Sequence, residues 1–169
     1  MQYQSVLLTT IEISVVFFGF IIVFLTFVMG GKDQRKADRM HSRALLTAAF
    51  PLLVVPFIPL VVDAYGGSEA MAWRAFHIGG VLAGMITGTI MTWFCLKLNR
   101  EELKEVGYLH TVVSFGMGTI ATGFFWAGMF GYAPAGNALA GILCMLILTA
   151  TSLLSFAAQQ MSLFDWRNP

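Results

Sequence analysis

Long apolar stretches separated by short polar segments dominate the pattern of this chain. The two most uniform stretches, residues 13–31 and 44–62, contain no charged residue. Runs of this length match the hydrocarbon core of roughly 30 Å that a helix must cross, and they do not alternate as barrel strands would. The pattern predicts five transmembrane helices, at residues 6–29, 44–64, 75–97, 110–132 and 137–160.

The segments between these stretches are short. The longest are a basic loop at residues 31–43 and a charged loop at residues 98–109. Neither leaves room for a soluble domain, so we expect residues 1–169 to form one all-α, polytopic integral membrane domain. No Lys or Arg precedes the first stretch, which predicts a retained helix rather than a secretory signal peptide.

The cations are distributed unevenly, and this predicts the orientation. Nine of the ten Lys and Arg residues fall on the side of the 31–43 and 98–109 loops, and only Arg74 falls on the other side. Cytoplasmic loops carry the excess of basic residues, so we expect both loops and the C-terminus inside and the N-terminus outside. The basic loop can contact lipid phosphates, or it can form ion pairs with the glutamates of the 98–109 loop or of another subunit.

Composition restricts the partners. The chain is 57% hydrophobic and 11% charged, against about 25% charged residues in soluble domains. The expected partner is therefore the lipid bilayer, and a net charge of +1 gives no reason to expect nucleic acid. Cys95 and Cys144 lie in apolar stretches without the spacing of metal ligands, so the sequence indicates no cofactor and leaves any metal unknown.

Glu12 is the one acidic residue well inside a predicted helix, roughly 10 Å from its outer end. A carboxylate at this depth costs about 2.5–3.5 kcal/mol, so it should face protein or water rather than lipid. With Thr9 it lies on a stripe of small and polar residues. It is either a buried acid bonded to His77 or Arg74, or an ion- or proton-binding carboxylate that lines a pathway.

Three prolines fall within nine positions of the second predicted helix: Pro51, Pro56 and Pro59. Each ring removes the hydrogen bond to the carbonyl four residues earlier. We therefore predict a bent or broken helix, tolerable only where the freed carbonyls meet protein or water. The break is either a shaped packing element or a hinge that coordinates ions.

Small residues recur at a spacing of four in the third and fourth predicted helices. The glycines in this pattern are Gly80, Gly84, Gly88 and Gly118. Such ridges let two helices approach closely, so we expect tight packing of these helices or of copies across an oligomer axis. The alternative is a narrow pore lined by Thr87, Thr89 and Thr119.

The histidines argue against a haem protein. Only His41 and His110 lie at similar depth, and both are close to the water interface, where pairing with loop acids is the ordinary role. The chain also lacks a zinc-protease motif, a phosphate loop, a Ser-His-Asp candidate and a lysine at mid-membrane. An enzyme is the least favoured class.

The segments TIEISVVFFGFIIVFLTF and KADRMHSRALLTAAFPLLVVPFIPLVV resemble a group of small uncharacterised bacterial inner-membrane proteins. The group shares a Glu-Ile-Ser first helix, a basic loop and an Arg-x-Leu-Leu entry into the second helix. The resemblance covers the first third of the chain and places Glu12 and Arg43 at the matching positions. It implies a multi-pass protein of the bacterial inner (cytoplasmic) membrane, and it implies no activity.

Two functions remain open. The first is an oligomeric ion channel or a conduit for small solutes or protons, which favours cations because Glu12, Asp63 and Glu69 lie towards the outside. Five helices are too few to enclose a wide pathway, so the pore would lie on the symmetry axis of a homo-oligomer. The alternative is an accessory or structural subunit of a larger membrane complex, without chemistry of its own.

Overall fold

The computed structural model describes residues 4–29 and 36–160, and within these ranges all regular structure is α-helical. Residues 30–35, which form most of the predicted basic loop and include Arg35, lie outside the described residues. The helices are α1 (Gln4–Met29), α2 (Lys36–Val54), α3 (Phe57–Ala64), α4 (Glu69–Leu96), α5 (Arg100–Val106), α6 (Tyr108–Met129) and α7 (Pro134–Gln160).

The five expected apolar helices are confirmed, because α1, α2 with α3, α4, α6 and α7 are each long and apolar enough to cross a membrane. Short connections make consecutive long helices antiparallel, so the bundle has two ends. One end carries α5 and the start of α2, and we call it the α5 end. The other carries the turns at 65–68 and 130–133, and we call it the turn end.

The second span is interrupted between α2 and α3. Pro51 stays inside α2 and Pro59 inside α3, whereas the chain leaves the helix at Val55 and Pro56. The Val55 N–H donates to the Pro51 carbonyl at 2.9 Å, and the Val55 carbonyl accepts from the Ile58 N–H at 3.2 Å. The break therefore keeps both backbone groups of Val55 bonded within the chain.

The charged segment 98–109 differs from the loop that we expected, because it contains α5. Asn99 Oδ1 accepts from the Glu102 N–H at 2.8 Å, and Glu102 Oε2 accepts from the Asn99 N–H at 2.9 Å. This capping box begins the helix, and Gly107 ends it with a φ of +94°. The pattern Asn99-x-x-Glu102 is the sequence signal for this start.

In the core, the ring of Phe125 of α6 packs between two glycines on neighbouring helices. A Cβ atom added at Gly80 of α4 would lie 2.6 Å from the Phe125 ring, and one added at Gly141 of α7 would also overlap it. The absence of side chains at these two positions lets three helices close around one aromatic ring. Phe76 packs edge-on against the same ring at 5.8 Å.

Helix α1 lies at the edge of the bundle. Ile21 and Leu25 are buried, and they pack with Leu45 of α2 and Phe156 of α7. The opposite side of α1 is open, with Val16 74% exposed. One side of this helix therefore has no neighbour among residues 4–29 and 36–160.

We predict that Gly80→Ala lowers the stability of the protein by about 1–3 kcal/mol, because Phe125 cannot retreat from the new methyl group towards Gly141. Gly88→Ala is the matched control: an added Cβ there meets no atom within 4 Å. Both substitutions gain the same helix propensity, so the difference between them isolates the overlap. Thermal unfolding in detergent measures it, and equal midpoints for the two variants would contradict the packing described.

Candidate functional site

The open side of α1 carries the acid that the sequence singled out. Glu12 and Thr9 are both exposed, whereas Leu7 and Ile11 on the other side are buried. We call this open side the Glu12 face; its small and polar members are Ser5, Thr9, Glu12, Gly19 and Thr26. The carboxylate therefore points away from the bundle, from a helix apolar enough to span a membrane.

The Glu12 carboxylate has no hydrogen bond or ion pair with any residue that the structure describes. The bond to His77 that we considered is not present, because His77 is fully buried and bonds elsewhere. Arg74, the other partner considered, is exposed. Within residues 4–29 and 36–160, the Glu12 carboxylate is therefore exposed and unpaired.

His77 joins α4 to the start of α7. Its Nε2 lies 2.9 Å from the Pro134 carbonyl oxygen, which can only accept, so Nε2 carries the proton and donates. Its Nδ1 is buried and has no hydrogen-bond partner among the described residues, and an added Cβ at Gly128 would overlap the ring. This places His77 in the packed core, where its ring joins two helices, rather than on a pathway.

A cavity lies where helices α4 and α6 separate from each other. Gly84 lies against Thr122, but at Gly88 and Gly118, one turn closer to the α5 end, an added Cβ would meet nothing within 4 Å. The close packing of these two helices therefore occurs at Gly80 and Gly84 and not at Gly88 or Gly118, and packing of copies across an oligomer axis stays a prediction. Beyond it lies a cavity of about 390 Å³ between α2, α4, α6 and α7.

The remaining candidates occupy different places. Thr87 lines this cavity and donates its hydroxyl to the Ala83 carbonyl at 2.8 Å. Thr89 is exposed on the same helix outside the cavity, and Asp63 is exposed at the turn end of α3. The structure thus brings neither Thr89 nor Asp63 together with Glu12 in a single site.

His41 and His110 meet at the α5 end. Their rings stack with centroids 5.2 Å apart, and Phe156 stacks on the other side of His41 at 5.4 Å. Stacked faces do not direct two ring nitrogens at one metal ion between them. Within the described ranges, no group of three His, Cys, Asp or Glu side chains could hold a metal ion.

Ionic contacts tie the α5 end together. Lys36 Nζ of α2 lies 2.6 Å from Glu102 Oε1 of α5, which is an ion pair between the two charged segments. The hydrogen bond from Lys36, followed by that from the Asn99 N–H, lowers the pKa of the Glu102 carboxyl. Arg43 lies over the Phe94 ring at 4.3 Å, and Lys97 over the Trp93 ring at 4.5 Å. Each of these three cations therefore has a partner within the chain.

Comparison of the chain with protein-family models, curated proteins and solved structures gave no match.

We predict that the Lys36–Glu102 pair contributes stability that acid removes. The pKa of Glu102 is lower in the folded protein than its unfolded value of about 4.3. The contribution of the charged carboxylate to stability is therefore complete above the unfolded pKa and is lost as the pH falls through the folded pKa. Glu102→Gln retains the cap geometry without the charge. The melting temperature of the wild type should exceed that of Glu102→Gln by a constant difference from about pH 7 to about pH 5. This difference should shrink below about pH 4. A margin that grows as the pH falls would contradict the ion pair.

Proposed function

We propose that the chain is the subunit of a homo-oligomeric conduit for cations or protons in the bacterial inner membrane, with the Glu12 face of each copy towards a shared axis. The observation that carries this proposal is the unpartnered, outward-pointing Glu12 carboxylate. A carboxylate left in hydrocarbon costs about 2.5–3.5 kcal/mol, and a ring of copies around a hydrated axis removes that cost. The axis also supplies the pathway that five helices cannot enclose alone.

The arrangement of α1 supports the same geometry. Its buried side already packs against α2 and α7, so α1 is anchored while the Glu12 face stays free. Thr9 lies about one turn from Glu12 and Gly19 about two turns away, so the face offers hydroxyl groups and room beside the acid. A closed ring repeats the same face at every subunit, which produces a ring of carboxylates.

The charge distribution gives the proposed direction and selectivity. With the cation-rich α5 end inside, as the positive-inside rule predicts, Glu12 lies in the outer half of the membrane. Asp63 and Glu69 are exposed at the same end of the bundle as the start of α1. Rings of acidic side chains attract cations, so the outer entrance favours cations over anions.

We predict that Glu12→Gln lowers flux about tenfold or more, because the amide retains the shape of the side chain but does not bind a cation or exchange a proton. The measurement uses proteoliposomes loaded with a pH-sensitive dye, under an imposed proton or potassium gradient. Glu101→Gln is the matched control, since Glu101 is exposed on α5, far from the Glu12 face. It should leave flux unchanged.

Equal flux in wild type and Glu12→Gln, or no flux above that of protein-free vesicles, would overturn the conduit. In the second case the alternative gains weight: the Glu12 face would dock against a different protein, and the chain would be an accessory subunit of a larger complex. Copurification from intact membranes with a partner that Glu12→Gln releases would support that alternative.

A further inference from the structure

The cavity between α2, α4, α6 and α7 is lined by two serine hydroxyls that have no partner in the part of the chain that the structure describes. Thr119 and Thr122 satisfy their hydroxyls by donating to carbonyls of their own helix at 2.8 Å, as Thr87 does. Ser114 and Ser152 also line the cavity, but neither has a hydrogen-bond partner among the described residues. Ser152 is only 2% exposed. Buried hydroxyls are normally paired, so these two point to a missing ligand group.

The register of the α6–α7 hairpin places the two serines opposite each other. Phe125 packs against Gly141 across this hairpin. Ser114 lies eleven residues before Phe125, and Ser152 lies eleven residues after Gly141. Eleven residues are about three helical turns, so each serine returns to the face that makes the Phe125–Gly141 contact. Both hydroxyls thus lie at one depth, towards the α5 end of the cavity.

The rest of the lining is apolar, and none of the described residues that form it is charged. Its larger side chains include Met85, Met91, Phe115, Trp126 and Met145. A volume of about 390 Å³ is within the range of small-molecule sites. The lack of a cation in the lining excludes a phosphate or carboxylate head, since a buried anion needs a counter-charge.

The cavity is open at its side. Met85 and Thr119 belong to its lining and are exposed, and they lie on helices that are apolar enough to span a membrane. A molecule dissolved in the bilayer can therefore enter sideways between α4 and α6. The stack of His41, His110 and Phe156 lies one turn beyond the serines, because His110 precedes Ser114 by four residues and Phe156 follows Ser152 by four.

We propose that this cavity binds an uncharged amphiphile from the bilayer. Its oxygen-bearing head pairs with the Ser114 and Ser152 hydroxyls, and its apolar part extends past Gly88 towards Trp126. Two kinds of molecule have this chemistry, a long-chain alcohol and a ring carbonyl with an apolar tail. The proposal is independent of the conduit, since the Glu12 face is not part of the cavity.

The test is photolabelling of the intact protein in nanodiscs with a long-chain alcohol that carries a diazirine and an alkyne. We expect saturable labelling of the peptides that line the cavity. Gly88→Leu should reduce it about tenfold by filling the space in front of Gly88. Gly116→Leu is the matched control, because Gly116 is exposed, lies outside the cavity and has nothing within 4 Å of an added Cβ. It should label as wild type does.

The double variant Ser114→Ala with Ser152→Ala tests the head group without changing the space. It should require a several-fold higher probe concentration for half-maximal labelling, whereas Thr89→Val, outside the cavity, should not. Competition by unlabelled dodecanol or by decylbenzoquinone distinguishes the chain alcohol from the ring carbonyl. Equal labelling of Gly88→Leu and Gly116→Leu, or a double variant that labels as wild type does, would overturn the proposal.

Discussion

Polar groups on helices apolar enough to span a membrane must find partners within the protein, because lipid offers none. This constraint explains most of the side-chain bonding in the chain. Hydroxyls of the apolar helices donate to the carbonyl four residues earlier at 2.7–2.8 Å; examples are Thr10, Ser14, Thr26, Thr92, Thr149 and Thr151. His77 donates to Pro134 in the same way across two helices. Against this background the few unpaired groups are informative.

Glu12, Ser114 and Ser152 are such groups, and they lie in different surroundings. Glu12 is on the exposed side of α1, where it requires another protein surface or water. The serines are inside a cavity that is too apolar for a charged ligand. The same constraint therefore underlies both proposals, a subunit interface at the Glu12 face and a small-molecule site in the cavity.

The cavity itself follows from the packing of Phe125. This ring draws α4, α6 and α7 together at Gly80 and Gly141, and contact continues through Gly84 and Thr122. Thr122 is the last of these contacts, so the helices are separate at Gly88. A ridge of evenly spaced glycines thus produces both a close helix crossing and an opening. The side chains on the facing helix decide which of the two forms at each glycine.

Much of the fold could be predicted from the sequence, since runs of apolar residues report directly on helix length. The five apolar helices were predicted in this way, and the kink-forming prolines indicated where the second would be interrupted. The sequence pattern missed α5, although Asn99 and Glu102 formed its cap signal. The stripe predicted that Glu12 faces protein or water, but the pattern could not show that this stripe lies on the exposed side of α1, because Ile13 and Phe20 are as apolar as the buried Ile21. It also could not show that Ser114 and Ser152 lie opposite each other, since that depends on the register of two helices.

The claim that the Glu12 face is covered by other copies of the chain is tested most directly by imaging. The purified protein would be placed in lipid nanodiscs, its subunits counted and α1 located by single-particle electron microscopy. The account predicts a closed ring in which α1 of every subunit lines the axis with Glu12 facing inwards. A monomer, or a ring in which the Glu12 face of α1 contacts only lipid, would contradict it.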